Sequence, residues 1–121
     1  MAMKIIPDDF EVAYPSKYYS LMEIIRNNLK LKLTISDCSY IGGPYLYNLY
    51  DSKYWDEKKL ISIVMIEQDG LTSVYDYDIL SGHRVDPALI TVHLSNPNYF
   101  DEVTECINKQ CEKFSKRRAS K

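Results

Sequence analysis

Cys38, His83 and His93 are the residues of this chain that could form a nucleophilic pair. A thiol attacks as its thiolate, and a neighbouring imidazole can take the proton. Cys38 follows Asp37, whose negative charge disfavours that thiolate. His93 alternates with Thr91 and Leu89, the pattern of a histidine set in a sheet. A small thiol-dependent enzyme using Cys38 and a histidine is therefore one reading. No motif around Cys38 adds to it.

Two further sets of residues could do chemistry. Asp76 and Asp78 alternate on one strand face, with Glu67 and Asp69 close by in sequence. Oxygen ligands of that kind suit Mg²⁺ or Ca²⁺, but the EF-hand spacing is missing and no metal or other cofactor is expected. Gly42-Gly43 could present backbone N–H groups to an anion. Neither the dinucleotide-binding nor the P-loop glycine pattern occurs. A small-molecule or nucleotide sensor would need a pocket there, lined by the neighbouring tyrosines.

Those tyrosines are the densest feature of the chain. Tyr40, Tyr45, Tyr47, Tyr50 and Tyr54 fall within sixteen residues, together with Trp55, the sole tryptophan. Rings with a polar tip supply contact area and hydrogen bonds at low entropic cost, which suits a recognition surface. Gly42, Gly43 and Pro44 interrupt the stretch, so it reads as a long aromatic loop rather than one regular strand or helix. The opposing reading is a small core in which some rings are buried.

Composition bounds the rest. A chain of 121 residues, 45% hydrophobic and 26% charged, suits one globular domain. The longest apolar run, Ile63 to Ile66, is far short of the roughly 20 residues of a membrane span. Met1 to Asp9 has no apolar leader core and reads as no signal peptide. Cys38, Cys106 and Cys111 are odd in number and lack a zinc spacing, so they read as reduced thiols in the cytoplasm.

The net charge of −2 hides a strong asymmetry. Residues 60–112 hold nine acids against Arg84 and Lys109, whereas residues 113–121 hold five bases and no acid. An acidic body argues against binding nucleic acid, which needs Lys and Arg spread over one face. Arg117-Arg118-Ala119-Ser120 also matches the short pattern read by basophilic kinases.

The elements that must position these residues follow from periodicity. Tyr18, Leu21, Met22, Ile25 and Leu29 form a helical stripe over 16–28. Leu29, Leu31, Leu33 and Ile35 alternate with polar residues, giving a strand over 29–36. Residues 60–67, 71–79 and 88–94 read as a three-stranded antiparallel meander, with turns at Gln68-Asp69-Gly70 and Ser81-Gly82-His83-Arg84. Val103, Ile107, Gln110, Cys111 and Phe114 form the stripe of a helix over 98–117. Weaker signals place a strand at Phe10 to Tyr14 and a helical turn at Asp51 to Lys59.

The expected architecture is α+β: a single domain over 1–115, with an antiparallel sheet packed against an N-terminal and a C-terminal helix, and a basic tail over 116–121. The expected function is a small non-enzymatic protein-interaction domain of inhibitor, immunity or adaptor type. Its partner is another protein, bound through Tyr40, Tyr45, Tyr47, Tyr50, Tyr54 and Trp55, with Asp76 and Asp78 supplying an acidic surface. A homodimer is also foreseen, through a helix or the loop, because Lys30 and Lys32 would guard an edge strand.

Overall fold

The computed structural model describes residues 16–39, 42–52, 60–78 and 81–119. The order is α1 (Tyr19–Asn27), β1 (Leu33–Asp37), β2 (Tyr45–Asp51), β3 (Leu60–Ile66), β4 (Leu71–Asp78), β5 (His83–His93) and α2 (Tyr99–Ala119). All five strands pair antiparallel with their sequence neighbours, so the sheet is an uninterrupted meander. Both helices pack on one face, giving the expected two-layer α+β sandwich. Among the described residues, no helix is long and apolar enough to cross a membrane.

The helices form where the 3.6-residue stripe places them. On α1, Met22 and Ile25 are fully buried, and Tyr19 joins them. Asn28 ends the helix, its Nδ2 donating to the Ile24 carbonyl at 2.8 Å. Asn96 Oδ1 accepts the Asn98 N–H just before α2 at 2.8 Å, and Asp101 and Glu102 lie in its first turn. Val103, Ile107, Gln110, Cys111 and Phe114 are all buried. The helix continues through Ala119, so residues 116–119 belong to α2 rather than to a separate tail.

The expected strand over 29–36 is shorter and shifted. Leu29 to Lys32 form the turn after α1, and pairing begins at Leu33. The third meander strand is longer than its sequence signal. It starts at His83, inside the expected turn, and runs through Asp86-Pro87. Proline is tolerated there because β5 is an edge strand. The register jumps at that point, from Val74↔Ile90 to Asp76↔Val85.

The largest correction concerns the aromatic loop. Residues 45–51 form β2, a strand between β1 and β3. Among its other described residues, Gly42, Gly43 and Pro44 form a short bend before β2 and Ser52 follows it. Tyr40, Tyr54, Trp55, Ser120 and the signals at 10–14 and 53–59 lie outside the described residues.

Gly70 shows how tightly the β3–β4 turn is built. Its φ is +103°, and a Cβ there would come within 2.9 Å of Leu94 Cδ1. Both facts require glycine.

Candidate functional site

Pairing decides where each tyrosine of β2 points. Tyr45, Tyr47 and Leu49 sit opposite Ile66, Val64 and Ser62, on the face that carries the helices. Tyr47 is fully buried and is a core residue. Its hydroxyl lies 2.5 Å from Ser16 Oγ, which donates to Asp37 Oδ2 at 2.8 Å. Burial pushes the Tyr47 phenol up to about 12, against the opposing pull of its Ser16 hydrogen bond.

Tyr45 is half-buried and meets Tyr18 edge to face, with ring centroids 5.3 Å apart. Tyr50 pairs with Thr34 and points to the opposite face of the sheet. The described rings therefore form no single platform. Tyr47 offers no surface, and Tyr45 and Tyr50 lie on different faces.

Asp76 is likewise committed to the fold. It faces the helices, where its carboxylate accepts Gln110 Nε2 and Lys113 Nζ, each at 2.7 Å. Burial alone would raise its pKa. The hydrogen bonds from Lys113, the Tyr77 N–H and Gln110 outweigh that and hold it below the ordinary carboxylate value. Asp78 follows two residues later on the same strand face, paired with His83. Among the described residues, no group of three or more His, Cys, Asp or Glu is arranged to hold a metal ion.

Cys38 is exposed at the end of β1, whereas both histidines are in β5. Those strands are the two opposite edges of the sheet. Four strand spacings separate them, about 19 Å. No direct thiol–imidazole contact can form across that distance. Cys38 Sγ instead accepts Asn48 Nδ2 at 3.4 Å, and His93 Nδ1 accepts the Ser95 N–H at 3.0 Å.

The meander brings other residues together. In consecutive antiparallel strands, the β1–β2 and β3–β4 connections fall at the same end of the sheet. Here that end joins Gly42-Gly43-Pro44 to Glu67-Gln68-Asp69. The two segments and Leu71 line a shallow cleft of about 480 Å³. Gln68 Nε2 bridges the segments by donating to the Gly43 carbonyl at 3.3 Å. Tyr18 donates to the Gln68 carbonyl at 3.1 Å, so the Tyr18–Tyr45 pair braces the turn from behind. Gln68 and Asp69 are exposed, and Leu71 keeps 37% of its surface at the rim.

This site is acidic. Glu67 and Asp69 face a glycine-rich bend across it, and no described base lines it. Its charge opposes a phosphate or carboxylate and favours an ammonium or guanidinium group. Tyr45, Tyr47 and Tyr50 do not line it. A second cavity of about 370 Å³ lies at the α1–β1 turn, at the other end of the sheet, and is lined by Arg26, Lys30 and Lys32.

Residue-type reasoning placed recognition on the rings and missed the acidic cleft. The signal was present as two turn motifs, Gly-Gly-Pro and Gln-Asp-Gly, but only strand order shows that they meet. No protein family, no curated protein and no solved structure matches this chain.

Proposed function

We propose that this protein is a small non-enzymatic interaction domain of inhibitor, immunity or adaptor type, which holds a basic segment of a partner protein in the cleft between Gly42–Pro44 and Glu67–Asp69. One observation carries the reading: Glu67, Asp69 and an exposed leucine flank a cleft at the end of the sheet, with Asp69 Oδ1 held by the Leu71 N–H at 3.1 Å. A Lys or Arg side chain entering it gains charge pairing, and its aliphatic stem covers Leu71. The acidic body, nine acids against two bases over residues 60–112, steers such a partner on approach. Three free thiols suit a reducing compartment, and we place the protein in the cytoplasm.

The test uses an extract of the native host, with wild type and Glu67→Gln/Asp69→Asn as baits. Both residues sit at a surface turn, so the variant should melt like wild type. The expected result is a basic partner that is captured at low salt, released as salt rises, and lost with the double variant. Equal capture by both baits overturns the assignment of the cleft.

A further inference from the structure

The edge strand β5 carries a second surface with its own chemistry. Among the described residues, β5 pairs only with β4. Just beyond the strand, Leu94 N–H donates to the Gly70 carbonyl at 3.1 Å. The register then runs Leu71↔His93, Thr72↔Val92, Ser73↔Thr91 and Val74↔Ile90. Bonded and non-bonded pairs alternate along an antiparallel ladder. Leu94 is bonded inward, so Val92 and Ile90 are too, and the N–H and C=O groups of Leu89, Thr91 and His93 point away from the sheet.

That outward row is unguarded. Ala88 to His93 contains no Asp, Glu, Lys, Arg or Pro. Leu89 keeps 44% of its surface, and Leu71, on the same face, keeps 37%. Exposed edges of this kind are usually blocked by charges or proline. The opposite edge shows the contrast: β1 has five residues, and Lys30 and Lys32 precede it. In β5 the blocking residues Arg84, Asp86 and Pro87 lie in the first half only.

The outward row is also self-complementary. About a two-fold axis at Thr91, the Thr91 N–H of each copy meets the Thr91 carbonyl of the other. The His93 N–H of each copy meets the Leu89 carbonyl of the other. The Leu89 N–H of each copy meets the His93 carbonyl of the other, whose oxygen also accepts the Asn96 N–H at 2.9 Å and has a second lone pair for this bond. Thr–Thr is a favourable cross-strand pair. Leu89 of each copy falls beside His93 of the other, whose ring separates it from Leu71 on β4. No charged side chain faces another across Ala88 to His93.

We propose that β5 is a homodimer interface at which a second copy of this chain adds its own β5 antiparallel about Thr91, joining the two sheets into one. Apart from Leu71, which borders both, this interface shares no residue with the acidic cleft.

Light-scattering mass measurement across a concentration series tests the idea. Wild type should reach twice the 14.1 kDa chain mass. Thr91→Pro removes an outward N–H and the 3.3 Å contact of the Thr91 hydroxyl with Ser73, but no ladder bond to β4, so it should run as a monomer while melting cooperatively. A partnered Thr91 pair sets its Cα atoms about 5.5 Å apart, within disulfide range. Thr91→Cys in a Cys38→Ser background should therefore oxidise to a covalent dimer even if the proline variant fails to fold. A wild-type mass that stays monomeric, a dimer that survives Thr91→Pro, or a Thr91→Cys protein that does not cross-link overturns the proposal.

Discussion

The Tyr47 hydroxyl sits 2.5 Å from Ser16 Oγ, and through Ser16 it reaches the carboxylate of Asp37. This relay ties the chain just before α1 to the β1–β2 pair. Tyr47→Phe should cost about 1 kcal/mol, the net worth of one hydrogen bond, because Ser16 keeps its bond to Asp37. Tyr47→Ala empties a fully buried site and should cost about 3–5 kcal/mol. Urea midpoints measure both. If Tyr47→Ala is as stable as wild type, the ring is not part of the core.

Alkaline pH should unfold the protein through groups that are buried in their neutral forms. Desolvation raises Tyr47 from 10.0 to about 12. Desolvation, with Asp51 and Glu112 adding to it, raises Cys111 from 9.0 to about 12. A folded pKa above the unfolded one means stability that is full below the unfolded value and lost as pH rises through the folded value. The loss should begin near pH 9 and continue to about pH 12. Cys111→Ala should shrink the loss that begins near pH 9 without removing it, because burial also raises Cys106 from 9.0. A denaturant midpoint that stays constant across this range would contradict the assignment.

Asp76 holds α2 on the sheet through Gln110 and Lys113. Asp76→Ala strands the Gln110 amide, which is only 7% exposed, and should cost about 1–3 kcal/mol. Lys113→Ala should cost less than about 1 kcal/mol, because its side chain is half exposed to solvent. The lowered carboxylate pKa adds stability above the ordinary value of 3.8, which is lost as pH falls below it. Asp76→Asn should flatten that acid limb. Equal costs for Asp76→Ala and Lys113→Ala would show that the Gln110 contact contributes nothing.

The three thiols should react unequally. Cys38 is exposed, whereas burial raises the pKa of both Cys106 and Cys111. Alkylation of the native protein near neutral pH should add one label, at Cys38, and none to Cys38→Ser. Mass spectrometry reads the count. Simultaneous labelling of all three would mean that α2 is not seated on the sheet.

The residues show what periodicity alone can decide. The stripe through Val103, Ile107, Cys111 and Phe114 marks α2 because 3.6-residue spacing repeats without a break, and each of these residues is buried. The β3–β4 hairpin is equally legible, from apolar runs around Gln68-Asp69-Gly70. β2 is not. Tyr45-Leu46-Tyr47-Asn48-Leu49-Tyr50 carries large side chains on both faces, and a tyrosine is neither clearly wet nor clearly dry. The nearby Gly-Gly-Pro signal then spreads a turn over what is a strand. β5 is legible only in part, because Asp86-Pro87 ends a central strand but not an edge strand.

The sequence by itself determined that the chain makes one α+β domain, since local periods follow from backbone geometry and need no partner. Tertiary structure decided which aromatic and acidic residues were buried or tied to the fold and which stayed at the surface. Tyr47 went inside and Tyr50 to the other face because β1 and β3 fixed the register of β2. Asp76 became an anchor because a helix 34–37 residues further along reached it. Glu67 and Asp69 became a cleft because the meander set their turn beside Gly42–Pro44. Each outcome depends on contacts between residues far apart in the chain, and no local period encodes those.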